Sequence, residues 1–407
     1  MKEARDSWIL GPDSSGRALR IEDGRIADFG TDLEIGPFHL SCEGARIEVG
    51  RVNAHTHIYS GLVPFGMPAP EPPPENFVQI LERIWWRLDR AFDEQSLRAA
   101  TRYYVAEALL AGTTTLIDHH ESPGLIEGSL DVLADGCGEL GVRSLLCYGA
   151  TERNGGPDEG ARGLRESARF LRENRNPLLR GAVALHASFT VSDDTIREAA
   201  AICRSTGSSL HVHLAEDVAD VEDARKRGFG GPLERLIELG APLEGSILAH
   251  GVHLDRKQVE RARDEGAWLV QNPRSNRGNG VGYPTSLAFS SRVALGTDGF
   301  PADMAAEEAA LLNEADTNDD DRATIAERVK GGWRMASDLF GIRLTEEPRA
   351  GDAADLRVVD DKGRVQHVIV NGIVLVRHGQ LISGDIDRIR TEAEEEAGRL
   401  WRRMEKI

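Results

Sequence analysis

Short apolar runs alternate with amphipathic segments through the middle of the chain, between residues 51 and 300. Apolar runs of strand length separated by segments of helical period are typical of parallel strands joined by crossover helices. We count eight such runs, at residues 51–58, 113–120, 143–150, 179–187, 208–216, 246–251, 268–273 and 292–299. Eight strand–helix units favour an α/β fold of the (β/α)8, or TIM-barrel, type over an open sheet.

The two ends of the chain follow a different pattern, in which apolar and polar residues alternate one by one around short turns. The alternation covers residues 18–30 and 355–383, and it is typical of antiparallel hairpins. We therefore expect residues 1–50 and 349–385 to form one small β-sandwich domain and residues 51–348 to form the barrel domain. Residues 386–407 carry apolar side chains at helical spacing, which predicts a C-terminal helix.

Composition and charge limit the possible partners. The chain has 407 residues, 40% of them hydrophobic, and 49 Lys and Arg against 67 Asp and Glu, so its formal net charge is -18. Such a charge repels phosphate backbones and anionic lipid surfaces, so we expect neither nucleic acid nor membrane as a partner. The N-terminal residues lack an apolar signal core, and no stretch approaches roughly 18 apolar residues. We expect a cytoplasmic protein, and a homo-oligomer is compatible with the sequence.

The cysteines give no sign of a disulfide framework or a zinc knuckle. Cys42, Cys137, Cys147 and Cys203 are far apart and have no paired spacing. We therefore expect reduced, mostly buried thiols.

Two histidines, His55 and His57, end the first predicted strand. Because strand side chains alternate, both face the same side of the sheet. Two imidazoles in an apolar interior are costly unless something accepts them, and a divalent metal is the commonest such partner. An HxH pair often arises by chance, however, and two satisfied polar residues are the ordinary interpretation of the pair alone.

The ends of other runs carry further groups that bind metals or move protons. These are His213 and Glu216 on the fifth run, His250 on the sixth and Asp298 on the eighth. In a parallel barrel the C-terminal ends of all strands meet at one mouth. His55, His57, His213 and Asp298 together supply the nitrogen and oxygen donors that zinc prefers. The pattern predicts one divalent metal ion, with zinc preferred and iron as the alternative.

At these residues the chain resembles the amidohydrolase superfamily, in particular its branch of cytosine, guanine and S-adenosylhomocysteine deaminases and triazine hydrolases. The motifs that carry the resemblance are HxH at 55–57, HLAED at 213–217, LAHGVHLD at 248–255, NPRSN at 272–276 and GTDG at 296–299. Within this branch, residues 184–195, 211–221 and 296–304 are most similar to the aminohydrolases associated with selenium metabolism. The resemblance implies a mononuclear site with His55, His57, His213 and Asp298 as ligands.

The positions of the lysines also favour a single metal. Binuclear members of the superfamily bridge their metals with a carbamylated lysine at the end of strand four. Here the fourth run ends with VALHAS at 183–188. The six lysines all lie outside the eight runs: Lys2, Lys226, Lys257, Lys330, Lys362 and Lys406.

Position and resemblance together suggest roles for three catalytic residues. Bound zinc can lower the pKa of its water to about 7. Asp298 would accept a proton from that water, and Glu216 would protonate a ring nitrogen of the substrate and help to expel ammonia. His250 would orient the water and stabilise the developing oxyanion.

Four further residues are candidates for substrate binding. His186 matches a position where related deaminases hold substrate. His119 and His120 end the second run, so one of them must face inward, and we assign His120 to the pocket. Arg153 could bind an anionic or carbonyl group, although a solvated loop arginine is the more ordinary interpretation. Glu82 resembles a ribose-contacting glutamate of adenosine-type deaminases, but its segment also fits a simple amphipathic helix.

Two other polar residues have supporting roles in this scheme. His211 precedes His213 by two residues and should lie one layer deeper, which favours a core or supporting role over ligation. Asn276 follows the seventh run and should form a hydrogen bond near the site.

The sequence thus predicts a metal-dependent aminohydrolase that deaminates an aminated heterocycle of purine, pterin, pyrimidine or triazine type. One alternative keeps the site and changes the substrate to a chloro compound or a cyclic amide. A second alternative is a catalytically silent barrel that only binds metal. The complete set of ligands, with Glu216 and His250, favours the enzyme. The substrate stays open because specificity in this fold depends on loops.

Overall fold

The N-terminal segment folds into five short strands. These are β1 (Ser7–Leu10), β2 (Ala18–Glu22), β3 (Arg25–Gly30), β4 (His39–Leu40) and β5 (Ala45–Val49). The computed structural model describes residues 7–34 and 38–407, so the part of the predicted β domain at 1–6 and 35–37 lies outside the described residues. Asp23 and Gly24, with φ of 47° and 74°, make the two-residue turn between β2 and β3. Positive φ at both turn residues matches the twist of a tight hairpin.

Each of the eight predicted runs contains at least one β-strand. The strands are β6 (Arg51–Thr56), β7 (Thr113–Asp118), β8 (Arg143–Leu146), β9 (Gly149–Ala150), β10 (Leu179–Gly181), β11 (Val183–Ala187), β12 (Leu210–Leu214), β13 (Ile247–His250), β14 (Trp268–Gln271) and β15 (Val293–Leu295). The third run is divided into β8 and β9, and the fourth into β10 and β11.

These strands form two parallel sheets, of order β10-β8-β7-β6 and β15-β14-β13-β12-β11-β9. The divided third and fourth runs contribute to both sheets, so the sheets adjoin there. Across the other edges, the Asp298 amide donates to the His55 carbonyl at 3.0 Å, and the His57 amide donates to the Asp298 carbonyl at 3.2 Å. The ends of the first and eighth runs therefore lie side by side.

Helices follow most of the parallel strands. They are α1 (Phe77–Ile80), α2 (Trp86–Ala91), α3 (Glu94–Leu110), α4 (Ser129–Leu140), α5 (Pro157–Glu173), α6 (Asp193–Thr206), α7 (Val218–Lys226), α8 (Pro232–Glu238), α9 (Arg256–Asp264), α10 (Pro273–Asn279), α11 (Met304–Thr317), α12 (Arg322–Phe340) and α13 (Ile386–Met404). A π-helical turn, Leu81–Trp85, joins α1 to α2. The predicted C-terminal helix is present as α13, which buries Leu400 and Trp401 in a cluster with Leu97 of α3. Within the described residues, no helix is long and apolar enough to cross a membrane.

The C-terminal strands pair with the N-terminal segment. They are β16 (Leu356–Asp360), β17 (Val365–Val370), β18 (Ile373–Arg377) and β19 (Gln380–Leu381). β5 pairs antiparallel with β16, with Val49 opposite Leu356, in a sheet of order β19-β18-β17-β16-β5. A second sheet has the order β3-β2-β1-β4. Both sheets contribute to one buried apolar cluster, which includes Leu19, Ile47 and Ile369.

A buried ion pair joins the terminal strands to the parallel strands. Arg143 of β8 donates to both carboxylate oxygens of Asp355, from Nε at 2.6 Å and from Nη2 at 3.1 Å. Such a two-pronged pair fixes geometry as well as charge. The four cysteines are buried and free, as the sequence predicts.

Candidate metal centre

The four predicted metal ligands converge at the C-terminal ends of the parallel strands. His55 and His57 come from β6, His213 from β12, and Asp298 follows β15. One donor atom from each lies within 4.8 Å of the others, and all four residues are buried. His55 Nε2 lies 3.2 Å and His57 Nε2 lies 3.0 Å from Asp298 Oδ1. His57 Nε2 is also 3.1 Å from His213 Nε2.

Hydrogen bonds on the outer side of two rings fix their tautomers. His57 Nδ1 donates to the His119 carbonyl at 2.6 Å, and His213 Nδ1 donates to the His186 carbonyl at 2.5 Å. Neutral rings with these bonds carry bare lone pairs on Nε2. Two lone pairs that face each other beside a carboxylate need a cation between them, and outer hydrogen bonds of this kind orient metal-binding histidines. The donor set fits one divalent metal.

The electrostatics of the cluster agree with this interpretation. Burial lowers the pKa of His213 well below its usual value and that of His55 to about 3, so both rings are neutral, as ligation requires. For His57 burial acts in the same direction, but Asp298 and Glu121 outweigh it and hold its pKa well above the usual value. The protein thus favours positive charge at this point, and a metal ion supplies it.

His211 supports the cluster from below. Its Nε2 lies 2.9 Å from His55 Nδ1, and its Nδ1 lies 3.5 Å from the Cys147 sulfur. Its ring occupies the layer beneath the ligands, the position expected from its two-residue offset from His213.

A sharp turn directs Glu216 into the site. β12 ends at Leu214, and Ala215 has a φ of 50°. Asp220 holds this turn, because its Oδ2 accepts the Ala215 amide at 2.8 Å and its Oδ1 accepts the Ser188 hydroxyl at 2.5 Å. The structure therefore contains the inward turn that a glutamate three residues beyond His213 needs in order to reach the pocket.

Glu216 and His250 form the polar group beside the ligands. Glu216 Oε2 lies 3.5 Å from His250 Nε2. His250 Nδ1 donates to Asn276 Oδ1 at 2.8 Å, and the Asn279 amide donates to Glu216 Oε1 at 3.2 Å. Burial raises the pKa of Glu216 to about 7. A carboxyl group with this pKa can both take up and deliver a proton near neutral pH.

A cavity opens above the ligands. Its apolar side, which we call the aromatic wall, consists of Tyr59, Phe77, Trp85 and Phe189. Trp85 lies against Gly299, where an added Cβ would be 2.6 Å from the indole Cη2. The π-helical turn places Trp85 at this position, and such turns are frequent at functional sites. The flat aromatic wall suits a planar heterocycle.

The predicted substrate residues have different surroundings. His186 lines the cavity. Arg153, Glu82 and His120 are absent from the lining. Arg153 pairs with Asp89 at 2.8 Å and stacks on Trp86 at 4.8 Å, while Glu82 is exposed on the π-helical turn.

Of the two histidines after β7, His119 is the one that faces the ligands. Its ring contacts His57 and His213, and its Nε2 lies 3.1 Å from the Leu185 carbonyl. His120 packs its ring between Tyr59 and Tyr148, and its Nε2 lies 2.8 Å from the Ser122 hydroxyl.

The sequence did not predict several residues that line the cavity. Glu121 is buried and lines the cavity next to His57. It could have been found, because His119 and Glu121 are two residues apart and share a face if the strand pattern continues. The residues Trp85, Phe189 and Asn279 come from loops and short helices, and no sequence period indicates where such residues point.

Comparison with known proteins gives the family. The model of the Amidohydrolase family matches residues 47–375. The chain therefore belongs to the amidohydrolase family. The predicted enzyme class, a hydrolase acting on carbon–nitrogen bonds, is confirmed.

Individual relatives refine this placement. The chain is 26% identical to the 5'-deoxyadenosine deaminase of Methanopyrus kandleri, over 93% of this chain and 94% of that protein. It is 30% identical to the 8-oxoguanine deaminase of Pseudomonas aeruginosa, over 72% and 71% of the two chains. An adenosine deaminase from Xanthomonas campestris with bound zinc has a TM-score of 0.83 at 20% identity, covering 97% of this chain and 98% of its own. A zinc complex of the atrazine chlorohydrolase of Arthrobacter aurescens has a TM-score of 0.79 at 19% identity, covering 97% and 99%.

Proposed function

We propose that this protein removes an amino group from an aromatic nitrogen heterocycle by hydrolysis and releases ammonia. The observation that carries the proposal is the convergence of bare Nε2 atoms on Asp298 Oδ1, directly beside the pair of Glu216 and His250. Deaminases of adenosine derivatives and of 8-oxoguanine among the relatives support the same reaction class.

His55, His57, His213 and Asp298 would hold the metal. Zinc is the preferred ion because two structural neighbours bind it, and iron is the alternative. When bound, the metal supplies a water of lowered pKa and a positive charge beside the reacting carbon.

The chain's own groups move the protons. As a C–O bond forms at the ring carbon, an Asp298 oxygen accepts the proton of the attacking water. Glu216 delivers its proton to the neighbouring ring nitrogen. His250 stabilises the oxygen that becomes negative, since it is fixed through Asn276. When the C–N bond breaks, the leaving amine takes the proton held by Asp298 and departs as ammonia, while the remaining hydroxyl proton passes to Glu216 and leaves a ring carbonyl.

We propose that the two parallel sheets form one closed (β/α)8 barrel over residues 51–348. In the same proposal, residues 1–50 and 349–385 form a β-sandwich domain. The adjoining sheet edges and the pairing of β5 with β16 support this division. A fragment of residues 51–348 should then expose apolar surface and aggregate. A soluble fragment that unfolds cooperatively would contradict the division.

The deciding experiment is a screen of aminated heterocycles against purified protein of measured metal content. Near-stoichiometric metal and ammonia release from a member of the panel are the expected results. Chloride release from a chlorinated triazine without ammonia release would favour the chlorohydrolase alternative. A folded protein that contains metal but releases neither ammonia nor chloride from any member of the panel would favour the silent barrel that only binds metal.

A further inference from the structure

Glu121 places a carboxylate in the cavity that the proposed reaction does not use. It follows β7, is 1% exposed and lines the cavity. Its Oε1 lies 2.8 Å from His119 Nδ1 and its Oε2 lies 3.5 Å from His57 Nδ1, yet Oε1 has no hydrogen-bond partner of suitable geometry. The nearby rings balance its charge, but the carboxylate keeps free acceptor capacity.

His186 adds a second acceptor next to this carboxylate. A nitrogen of His186 and an oxygen of Glu121 lie within 4.8 Å of each other. The Thr190 hydroxyl donates to the Ala187 carbonyl at 3.0 Å, so its oxygen accepts from His186 Nδ1 at 3.1 Å. The proton on Nδ1 leaves Nε2 of this ring with a lone pair.

The described lining of the cavity contains no lysine or arginine side chain that could pair with an acidic substituent of a substrate. It includes five carboxylate residues: Glu121, Glu216, Asp217, Asp220 and Asp298. Arg153, the nearby cation behind Trp86, is already paired with Asp89. A substrate carboxylate directed away from the metal centre would meet negative charge at this lining without a partner.

Glu121 and Glu216 reach the cavity from different strands. Glu121 follows β7, whereas Glu216 follows β12, and the third and fourth runs lie between these strands. A planar ring against the aromatic wall, with its reacting edge at Glu216, therefore turns another edge toward Glu121 and His186.

We infer that the substrate carries an N–H group, amino or ring N–H, on an edge other than its reacting edge, and that it has no acidic substituent. The inference rests on the proposed function and narrows it to diamino or amino-oxo heterocycles, with Glu121 as the specificity-determining residue. A carboxylate that accepts such N–H groups in a closed site discriminates strongly against rings that lack them.

The test uses matched pairs of ligands that differ in the additional amino groups. The pairs are 2,6-diaminopurine with adenine and melamine with 2-amino-1,3,5-triazine. Binding to the zinc-loaded protein is measured by calorimetry, and ammonia release is measured separately. Wild type should bind the amino-rich member of each pair at least about tenfold more tightly, the size expected for a hydrogen bond to a charged group.

Two variants locate the effect. Glu121→Gln should lose most of this preference, because its amide NH₂ opposes the ligand's N–H groups, and it should retain one metal per chain. Glu127→Gln changes an exposed glutamate on the same loop and should keep the wild-type preference. If Glu121→Gln does not fold, the wild-type protein still tests the part of the inference that excludes acidic substituents. Pterin should bind to it at least about tenfold more tightly than pterin-6-carboxylate.

The outcomes separate this inference from the proposed function. A preference for amino-rich rings that depends on Glu121, without ammonia release, would support the inference and contradict the deaminase. Ammonia release with equal binding of both members of each pair would overturn the inference and leave the deaminase intact. Loss of metal in Glu121→Gln would make Glu121 a ligand and would also overturn the inference.

Discussion

Glu216 and His250 face each other at 3.5 Å, and the outer nitrogen of His250 is fixed by Asn276. Because the Nδ1 N–H of His250 donates to Asn276 Oδ1, its Nε2 is the nitrogen that faces the Glu216 carboxyl and can share a proton with it. The imidazole therefore acts on the carboxyl as well as on the reacting oxygen. This pairing separates proton transfer from metal binding, since neither residue belongs to the four-ligand cluster.

Glu216→Gln should keep the fold and the metal and should lower kcat by roughly 10²–10⁴, the usual contribution of general acid–base catalysis. The amide has nearly the same shape but cannot deliver a proton. Metal content, thermal stability and ammonia release are measured side by side. Asp255→Asn is the matched control, because Asp255 lies outside the cavity lining and caps α9, and asparagine caps a helix equally well. Loss of metal in Glu216→Gln would make the carboxylate a ligand, and near wild-type turnover would assign the proton to another group.

Alanine at His55, His57 or His213 should strip the bound metal, since each supplies a donor to the cluster. His211→Ala should retain metal with an affinity reduced by about 10–100-fold, because His211 orients His55 without reaching the ion. The measurement is metal content after dialysis against graded concentrations of chelator. His367→Ala, a buried histidine of β17, is the control and should behave like wild type. Full metal content in His213→Ala would refute the ligand set.

Gly299→Ala should lower kcat/KM by roughly 10–100-fold, because the added methyl group displaces Trp85 into the cavity. Metal content should not change. Gly124→Ala is the control, since an added Cβ there meets its nearest atoms at an ordinary 3.5 Å. In a double-mutant cycle with Trp85→Ala the two effects should not add, because they act through one contact. Additive losses would show that Gly299 acts independently of the indole.

Asp118 should make the fold less stable as the pH rises. Its Oδ1 accepts the Ile58 amide at 2.7 Å, its Oδ2 has no partner, and burial raises its pKa from 3.8 to about 7. Between these values the folded state binds more protons than the unfolded chain, so the free energy of unfolding decreases toward pH 7. Above pH 7 Asp118 is ionised in the folded state, and its buried charge lowers the free energy of unfolding by its full amount.

Asp118→Asn should remove this part of the pH dependence while keeping the bond from Ile58. Urea unfolding at pH 5 and pH 8, with chelator present so that metal binding does not contribute, measures the difference. Asp194→Asn, at a residue whose side chain is 95% exposed, should retain the wild-type profile. An unchanged profile in Asp118→Asn would exclude Asp118 as the source.

The regular part of this molecule is predictable because burial imposes a period on it. The eight apolar runs contain the parallel strands, and the alternation at both ends contains the hairpins. The metal ligands follow from the same logic, since they end such runs. The assignment of His120 to the pocket illustrates the limit: the pattern requires that one of two adjacent histidines faces inward, but only the packed neighbours select His119. Trp85 depends on a π-helical turn, which changes the helical period locally.

Ala215 occupies a backbone conformation that glycine adopts at no steric cost, with a φ of 50°. A side chain in this region costs about 1–2 kcal/mol, so relief of that strain in Ala215→Gly opposes the entropy that glycine adds to the unfolded chain. Ala215→Gly should therefore change the free energy of unfolding little, but it should make the turn that positions Glu216 more flexible. The Ala215→Gly variant should fold like the wild type but turn over substrate more slowly. A screen of random variants for stability alone would therefore not detect the role of this alanine in placing Glu216.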